Sequence, residues 1–457
     1  MKILLINPSQ RNVYGTPMPQ AYPPLGLLYI GAVLEKDGHV IDLLNIDSDG
    51  FNENYILEFK PDFVGITATT PTFNNAILIA KKIKEILDVK IILGGVHATI
   101  SPFESLNNDY IDFVIKGEGE QTILELVNSN GKYTIDGLFY KKDKKIIKNN
   151  ERKLIENLDD LPFPARHLLK NPNFYVPPDA TRKPVASIMT TRGCYGKCTY
   201  CCTKNIYGFR LRTRSVKNIL DEIDVVVNKF NVKEIHFMDD NFVYDKNRVI
   251  EFCSELKKRN YDLIFEFANG LRADCINEEV LNALKSIGVI NLGFGVESGN
   301  EEILKNIKKG ITKDQVRKAF KLAKEKGFQT WGFFMFGLPG ENEKTMQDTI
   351  VFALELDPDF AKFLVLKPYP GTEIYDQLNN AKFIFDFNYD HYGPYTYPVH
   401  KLEEVNADTI YKYQKKANRI FYLRASKIYS HMRRIKSLDQ LKYNFKAFSF
   451  LFKKLFK

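Results

Sequence analysis

Three cysteines, at positions 194, 198 and 201 within the run TTRGCYGKCTYCC, restrict this chain more than any other stretch does. They follow an apolar run at 185–189 that reads as a strand, so one loop at a strand end must present all three thiols. Thiolates this close in sequence favour a soft centre, either zinc or an iron–sulfur cluster. Structural zinc asks for four protein ligands in paired knuckles, and no second Cys or His pair follows at the right distance. A cubane held by three cysteines instead leaves one iron open to a substrate or cofactor. Cys202 competes with Cys201 for the third place, and unliganded core thiols are the plain alternative.

At 457 residues the chain is long enough for two or three domains. Its six cysteines do not form a disulfide framework; Cys253 and Cys275 stand alone and read as core thiols of a reducing cytosol. The opening MKILLINPSQ is too short for a signal-peptide core and reads as a first strand. No apolar stretch reaches the roughly 18 residues of a membrane span. From Phe421 onward there are ten Lys or Arg and one acid, so that segment accounts for the whole formal charge of +9. A basic tail is indicated, and a nucleic-acid-binding body is not.

The fold class is α/β. Residues 1–128 alternate β-rich runs (2–7, 40–45, 63–67, 90–93, 113–115) with helical ones (26–36, 73–87, 120–128), the pattern of an open parallel sheet. Ligands of such sheets sit at the carboxyl ends of the strands, where Gly65, Gly94, Gly95, Gly117 and Gly119 fall. Neither GxGxxG nor GxxxxGK[ST] occurs there, which weakens nicotinamide and nucleoside-triphosphate readings. Residues 129–184 form a connector, with a hairpin and then a Pro162/Pro164-directed approach to a short helix. Residues 185–395 repeat strand and helix six times, with strands at 185–189, 234–238, 264–268, 291–296, 330–336 and 360–366. Residues 396–457 read as a helical, aromatic and basic region.

The cysteine motif, with Tyr200 before the third cysteine, resembles the radical S-adenosylmethionine (SAM) enzymes. That resemblance assigns Cys194, Cys198 and Cys201 to a [4Fe–4S] cluster whose open iron binds the amine and carboxylate of SAM. It implies a partial (β/α)6 barrel with its chemistry at the carboxyl ends of the strands. Asp240, Glu297 and Ser298 match positions near the ribose and methionyl parts of SAM. Asp239 or Asp240 substitutes for a Gly-Gly-Glu-like strand end, and Arg272 and Lys309 are polar contacts to SAM or substrate. For each of these residues an ordinary cap or ion pair is the alternative.

The domain ahead of the motif looks like the cobalamin-binding domain of the B12-dependent subclass, through ILLINPS, YPPLGLLYIGAVLEKDGH, GITATTPT, ILGGVHAT and VIKGEGE. The resemblance places cobalamin's nucleotide tail along the strand ends. Small residues let the backbone approach it, and Thr67, Thr69 and the amides near Gly94, Gly95, Gly117 and Gly119 bond its polar groups. An Asp-x-His-x-x-Gly loop for the lower face of cobalt is absent. His39 reads as a solvated or capping residue, and His97 as a neighbour of the cofactor. A degenerate scaffold that no longer binds B12 is the alternative for this domain.

The resemblance implies an enzyme that forms a 5′-deoxyadenosyl radical, abstracts hydrogen from an unactivated carbon and transfers methyl from methylcobalamin. Cyclisation or oxidation with cobalamin is the alternative. Methylthiolation normally needs a second three-cysteine cluster, and no cysteine precedes Cys194. A binding module without radical chemistry is the non-enzyme rival. The implied partners are a one-electron reductant such as flavodoxin or ferredoxin and a small-molecule substrate. The tail and the aromatic 380s favour an apolar substrate. On a helix, 440–457 carries an apolar stripe beside lysines, which points to an anionic membrane surface and a cytoplasmic protein peripheral on the inner face of the membrane. Replacing Cys201 by Ala is expected to abolish the visible absorbance of the reconstituted cluster while Cys202→Ala preserves it, and iron analysis is expected to give about four irons per chain, as one cubane requires.

Overall fold

A computed structural model describes residues 1–11, 13, 20–143, 145–177 and 180–433. The apolar runs of the amino-terminal part form strands β1 (Lys2–Asn7), β2 (Val40–Asn45), β3 (Phe63–Thr67), β4 (Lys90–Gly94) and β5 (Phe113–Ile115). They pair in parallel in the order β2–β1–β3–β4–β5. Alternate residues face opposite layers: Ile3 and Leu5 pack beneath helices Leu25–Lys36 and Gly119–Val127, whereas Leu4 and Ile6 pack on helix Phe73–Ile86. The order reverses at β1 and β3, so the crevice for a ligand opens at Asn7 and Thr67.

The hairpin β6 (Leu138–Lys142) and β7 (Lys145–Lys148) corrects the expected organisation. It does not stay in the connector; β6 pairs antiparallel with β5 and extends the sheet to seven strands. An uncovered β5 would leave a buried strand with open N–H and C=O groups, which the hairpin satisfies. The expected short helix near 165–170 is a single 3-10 turn, Arg166–Leu168, held by Leu168 packing against Gly31.

The second half contributes β8 (Val185–Ile188), a short antiparallel pair β9 (Thr191–Arg192) and β10 (Arg212–Thr213), then β11 (Glu234–Phe237), β12 (Ile264–Phe267), β13 (Asn291–Glu297), β14 (Gln329–Phe336) and β15 (Phe360–Val365). Parallel pairing gives two groups, β8–β11–β12 and β13–β14–β15. Parallel bridges Phe265↔Val289 and Leu271↔Phe294 join them into the expected arc of six strands. In β14 and β15, Phe334, Phe336, Ala361, Phe363 and Val365 are buried on the helix side. On the other face Trp331 stacks on Phe360 at 4.3 Å, with Lys362 Nζ 5.1 Å from the Trp331 ring.

Helix Ala407–Tyr422 closes the outer side of β15, because Gln414 donates to Phe363 O and the Phe421 ring meets Phe363. Arg424 and Lys427 pair with Asp357, so these two tail charges serve the fold. The apolar stripe expected at 440–457 lies outside the described residues. The aromatic 380s are partly accounted for by packing between the two halves: Tyr389 meets Phe73 and His97, and its hydroxyl donates to Glu104.

His97 is therefore a core residue, with its ring 4.1 Å from Phe73. Burial lowers its pKa to about 4, although half-exposed Glu104 stands 3.7 Å from Nε2, and the same cause lowers His400 to about 4. Unfolded histidines titrate at about 6.5, so below that pH the unfolded chain binds protons that the folded chain refuses. Stability is expected to fall as pH drops from about 6.5 toward 4. His97→Gln should flatten that decline in urea midpoints measured across the window; an unchanged slope would contradict the assignment.

Candidate active site

The cysteine loop begins at the carboxyl end of β8. Asp239, which follows β11, accepts hydrogen bonds from the Thr190 amide and hydroxyl and from the Thr191 amide. Arg248 donates to Thr190 O and Oγ1 from the other side. Gly193 adopts φ +95°, and a Cβ there would stand 2.0 Å from Arg210 O, so only glycine passes this point. The Gly196 amide then donates to Cys194 Sγ, and a Cβ on Gly196 would lie 3.3 Å from Cys194 Sγ and 3.8 Å from Cys198 Sγ. Both thiols thus face one turn.

Burial raises the Cys194 and Cys201 thiols above their ordinary range. Cys194 senses Cys198 and Asp240 electrostatically, and Cys201 senses the same two groups. Cys202, pushed up to about 12 by burial, senses Cys201 and Lys204 instead. Cys201 thus shares the electrostatic neighbours of Cys194, and Cys202 does not. Thiols raised in this way, at Cys194 and Cys201, stay protonated until a metal displaces the proton, and three sulfur donors on one loop fit an all-thiolate cluster. Among the described residues no group of three or more His, Cys, Asp or Glu is arranged to hold a single metal ion.

Beneath the loop, three side chains meet. Lys309 Nζ lies 2.7 Å from Glu297 Oε1 and 3.2 Å from the Tyr200 hydroxyl, which itself donates to Glu297 at 3.0 Å. A bulge between Gly295 and Glu297 and a φ of +64° at Glu297 turn the carboxylate inward. A Cβ on Gly295 would approach Glu297 Oε1 to 2.8 Å and Lys309 Nζ to 2.9 Å, so a larger residue there would displace this pair. Arg272 pairs with Asp274, donates to Lys309 O, and acts electrostatically on Cys194 and Cys198. Asp240 has its carboxyl pushed up to about 6 by burial, and it accepts from Thr203, whose Oγ1 also accepts from Cys201 Sγ.

The structure therefore gathers Cys194, Cys198, Cys201, Tyr200, Asp240, Arg272, Glu297 and Lys309 at one strand-end surface. It does not bring two of the expected residues there. Asp239 is committed to Thr190 and Thr191. Ser298 bonds Thr349 and accepts from the Asn300 amide. In the amino-terminal domain Thr67, Gly94, Gly95 and Gly117 share the carboxyl edge. Gly95 is forced by Thr67 Oγ1 and Ala68, while Gly94 and Gly117 face open space. Thr69 bonds Thr72 in a capping turn, and Gly119 packs on Ile30 and Ile115.

Sequence reading missed Thr203, and it missed Arg192, Arg212, Glu118 and Glu120 as a connected set. Arg192 bonds Glu118 at 2.8 Å and Glu120 at 2.5 Å, and Arg212 bonds Glu118 at 2.8 Å. Alternating charges in KGEGE and RLRTR were the available signal. It also missed Tyr22, which reaches from the loop after β1 to His236 Nδ1 at 3.0 Å, with His236 Nε2 2.7 Å from Glu234.

Comparisons with known proteins agree with this arrangement. Residues 188–353 match the Radical SAM superfamily, and residues 11–127 match the B12 binding domain. An uncharacterized methyltransferase of Pyrococcus horikoshii is 35% identical over 93% of this chain and 93% of its own length. The anaerobic magnesium-protoporphyrin IX monomethyl ester cyclase of Rubrivivax gelatinosus is 28% identical over 85% of this chain and 72% of its own. The radical SAM methyltransferase TsrM from Kitasatospora setae, solved with cobalamin and a [4Fe–4S] cluster bound, shares the fold with a TM-score of 0.68, at 19% identity over 83% of this chain and 75% of that one. A three-cysteine loop on a six-stranded parallel arc, preceded by a sheet of order 2-1-3-4-5 and matched over 93% of its length by a relative above 30% identity, places this chain in the family of radical SAM enzymes that carry an amino-terminal B12-binding domain.

Proposed function

We propose that the chain is a C-methyltransferase that uses a [4Fe–4S] cluster, SAM and cobalamin on a small-molecule substrate. The observation that carries this reading is the placement of Cys194, Cys198 and Cys201 on a loop bonded through Arg192 and Glu118 to the turn after β5, beside the open glycines of the B12-type sheet. When bound, the cluster with SAM supplies hydrogen-atom abstraction and cobalamin supplies the methyl group. The three cysteines hold the cluster. Lys309, Glu297 and Tyr200 fix the loop from below and present a cation and a carboxylate to the polar ends of SAM. Asp240 and Arg272 flank the thiols and orient the same cofactor. Thr67, Gly94, Gly95 and Gly117 let the sheet backbone approach the cobalamin tail. As in other members of the family, an external one-electron reductant is required.

Cyclisation without methyl transfer is the second reading, favoured by the relation to the protoporphyrin ester cyclase. Anaerobic turnover of cell extract with methyl-deuterated SAM is expected to place label in a product, and a product gaining unsaturation or a ring but no label would favour the cyclase reading. Cobalamin is expected to bind without histidine on cobalt, because His97 is enclosed by Phe73 and Tyr389. The Co(II) resonance should therefore lack nitrogen splitting from an axial base; splitting removed by His97→Gln would sink this assignment.

Among the described residues no helix is long and apolar enough to cross a membrane. For 440–457 we propose reversible attachment to anionic membrane, on the strength of its stripe of rings and lysines. Full-length protein should sediment with anionic vesicles, and a version ending at residue 439 should not. Equal sedimentation of both would remove this proposal.

A further inference from the structure

The turn after β5, Lys116–Gly117–Glu118–Gly119–Glu120, presents two different faces. Gly117, at φ +82°, has open space where its side chain would be and donates its amide to Thr99 Oγ1. Glu118 and Glu120 point the other way, out of their own domain. Glu118 divides its oxygens: Oε1 takes Arg192 at 2.8 Å, and Oε2 takes Arg212 at 2.8 Å and the Ile155 amide at 2.8 Å. Glu120 takes the second prong of Arg192 at 2.5 Å. All four side chains are less than 8% exposed. Arg192 and Arg212 face each other across β9 and β10, and Arg192 stands two residues before Cys194.

We infer that Glu118, Glu120, Arg192 and Arg212 form a clamp that sets the spacing between the cobalamin-binding strand ends and the cysteine loop, so that they are positioning residues for methyl transfer. This rests on the proposed reading that cobalamin lies along those strand ends. Among the described residues the two guanidiniums pair with no other carboxylate, so the barrel cannot slide along the sheet without stranding buried charge. Arg192 is also covered by the Tyr29 ring at 5.4 Å, a residue of the same amino-terminal domain. Its guanidinium is thus enclosed by the other domain, while its backbone belongs to the segment that Asp239 and Arg248 anchor to the barrel. A displacement of the turn reaches the cysteines through one rigid side chain. The expected contribution of KGEGE to cobalamin binding is thereby divided: Gly117 faces the crevice and the two glutamates face the barrel.

The test uses reconstituted full-length enzyme with Glu120→Gln and Arg192→Lys, the latter keeping its charge and losing the fork. Arg210→Gln, which removes only the exposed pair with Glu156, is the control. Iron and cobalamin contents of both variants should match the wild type. The distance distribution between Co(II) and the reduced cluster, measured by pulsed dipolar resonance, should widen at least twofold in the variants and not in the control. Amide exchange at 116–120 and 190–193 should rise together, at least tenfold, in either variant. A wild-type distance distribution in both variants would overturn the clamp. Loss of cobalamin with iron retained would also overturn it, by making the glutamates cofactor ligands. If wild-type enzyme itself retains no cobalamin, the proposed function fails separately, and exchange rising on only one side of the seam still overturns the clamp. Should Glu120→Gln not fold, Arg192→Lys is read by the same measurements.

Discussion

A carboxylate or guanidinium taken out of water has to meet its opposite inside the fold, and this requirement governs where the two halves of the chain meet. Arg166 from the connector donates to Glu222 at 2.6 Å and to Ser187 O, while Arg214 takes the other oxygen of Glu222. These bonds tie β8 to the helix behind it and to the connector. Burial alone would make any member of such a set costly, so the members hold each other in register. The same logic applies to Lys309 and Glu297, whose pairing also takes in the Tyr200 hydroxyl. The loop that carries the thiols is thus fixed by hydrogen bonds at its entrance and beside its third cysteine.

Most of the architecture was legible because it depends on local apolar pattern. Strands of Ile, Val and Leu between glycine-rich turns can only be parallel and covered, and six of them in the second half close into an arc. The hairpin was legible as a hairpin, but its partner was not, because nothing local in IDGLFYKKDKKIIKNN says that β5 needs an edge. Cysteine spacing located the cluster loop, and the charge pattern of KGEGE was visible while its partners were not. Glu118 and Arg212 are far apart in sequence, and only tertiary packing joins them. Asp239 and Asp240 show the limit most sharply. Two identical neighbours acquire opposite duties because one faces the Thr190 amide and the other faces Thr203.

The site divides labour between regular and irregular backbone. Strand ends supply open space in the first domain, at Gly94 and Gly117. In the second, a bulge at Glu297 and a loop without side-chain room at Gly193 supply direction. A barrel of plain strands would have pointed Glu297 away from Lys309; one extra residue in β13 redirects it.

The hairpin β6–β7 also bears on biosynthesis. It completes the first sheet within residues 1–148, so that domain has both its layers and its closed edge before any barrel strand is made. At roughly 5–20 residues per second, Arg212 leaves the ribosome about 5–20 s after Glu120. During that interval Glu118 and Glu120 stand in water as ordinary surface acids, and they lose their hydration only when β9 and β10 arrive. Docking of the second half is therefore an assembly step between a finished domain and a growing one, and its late, desolvating contact is the point at which a nascent chain commits to the orientation of its cysteines.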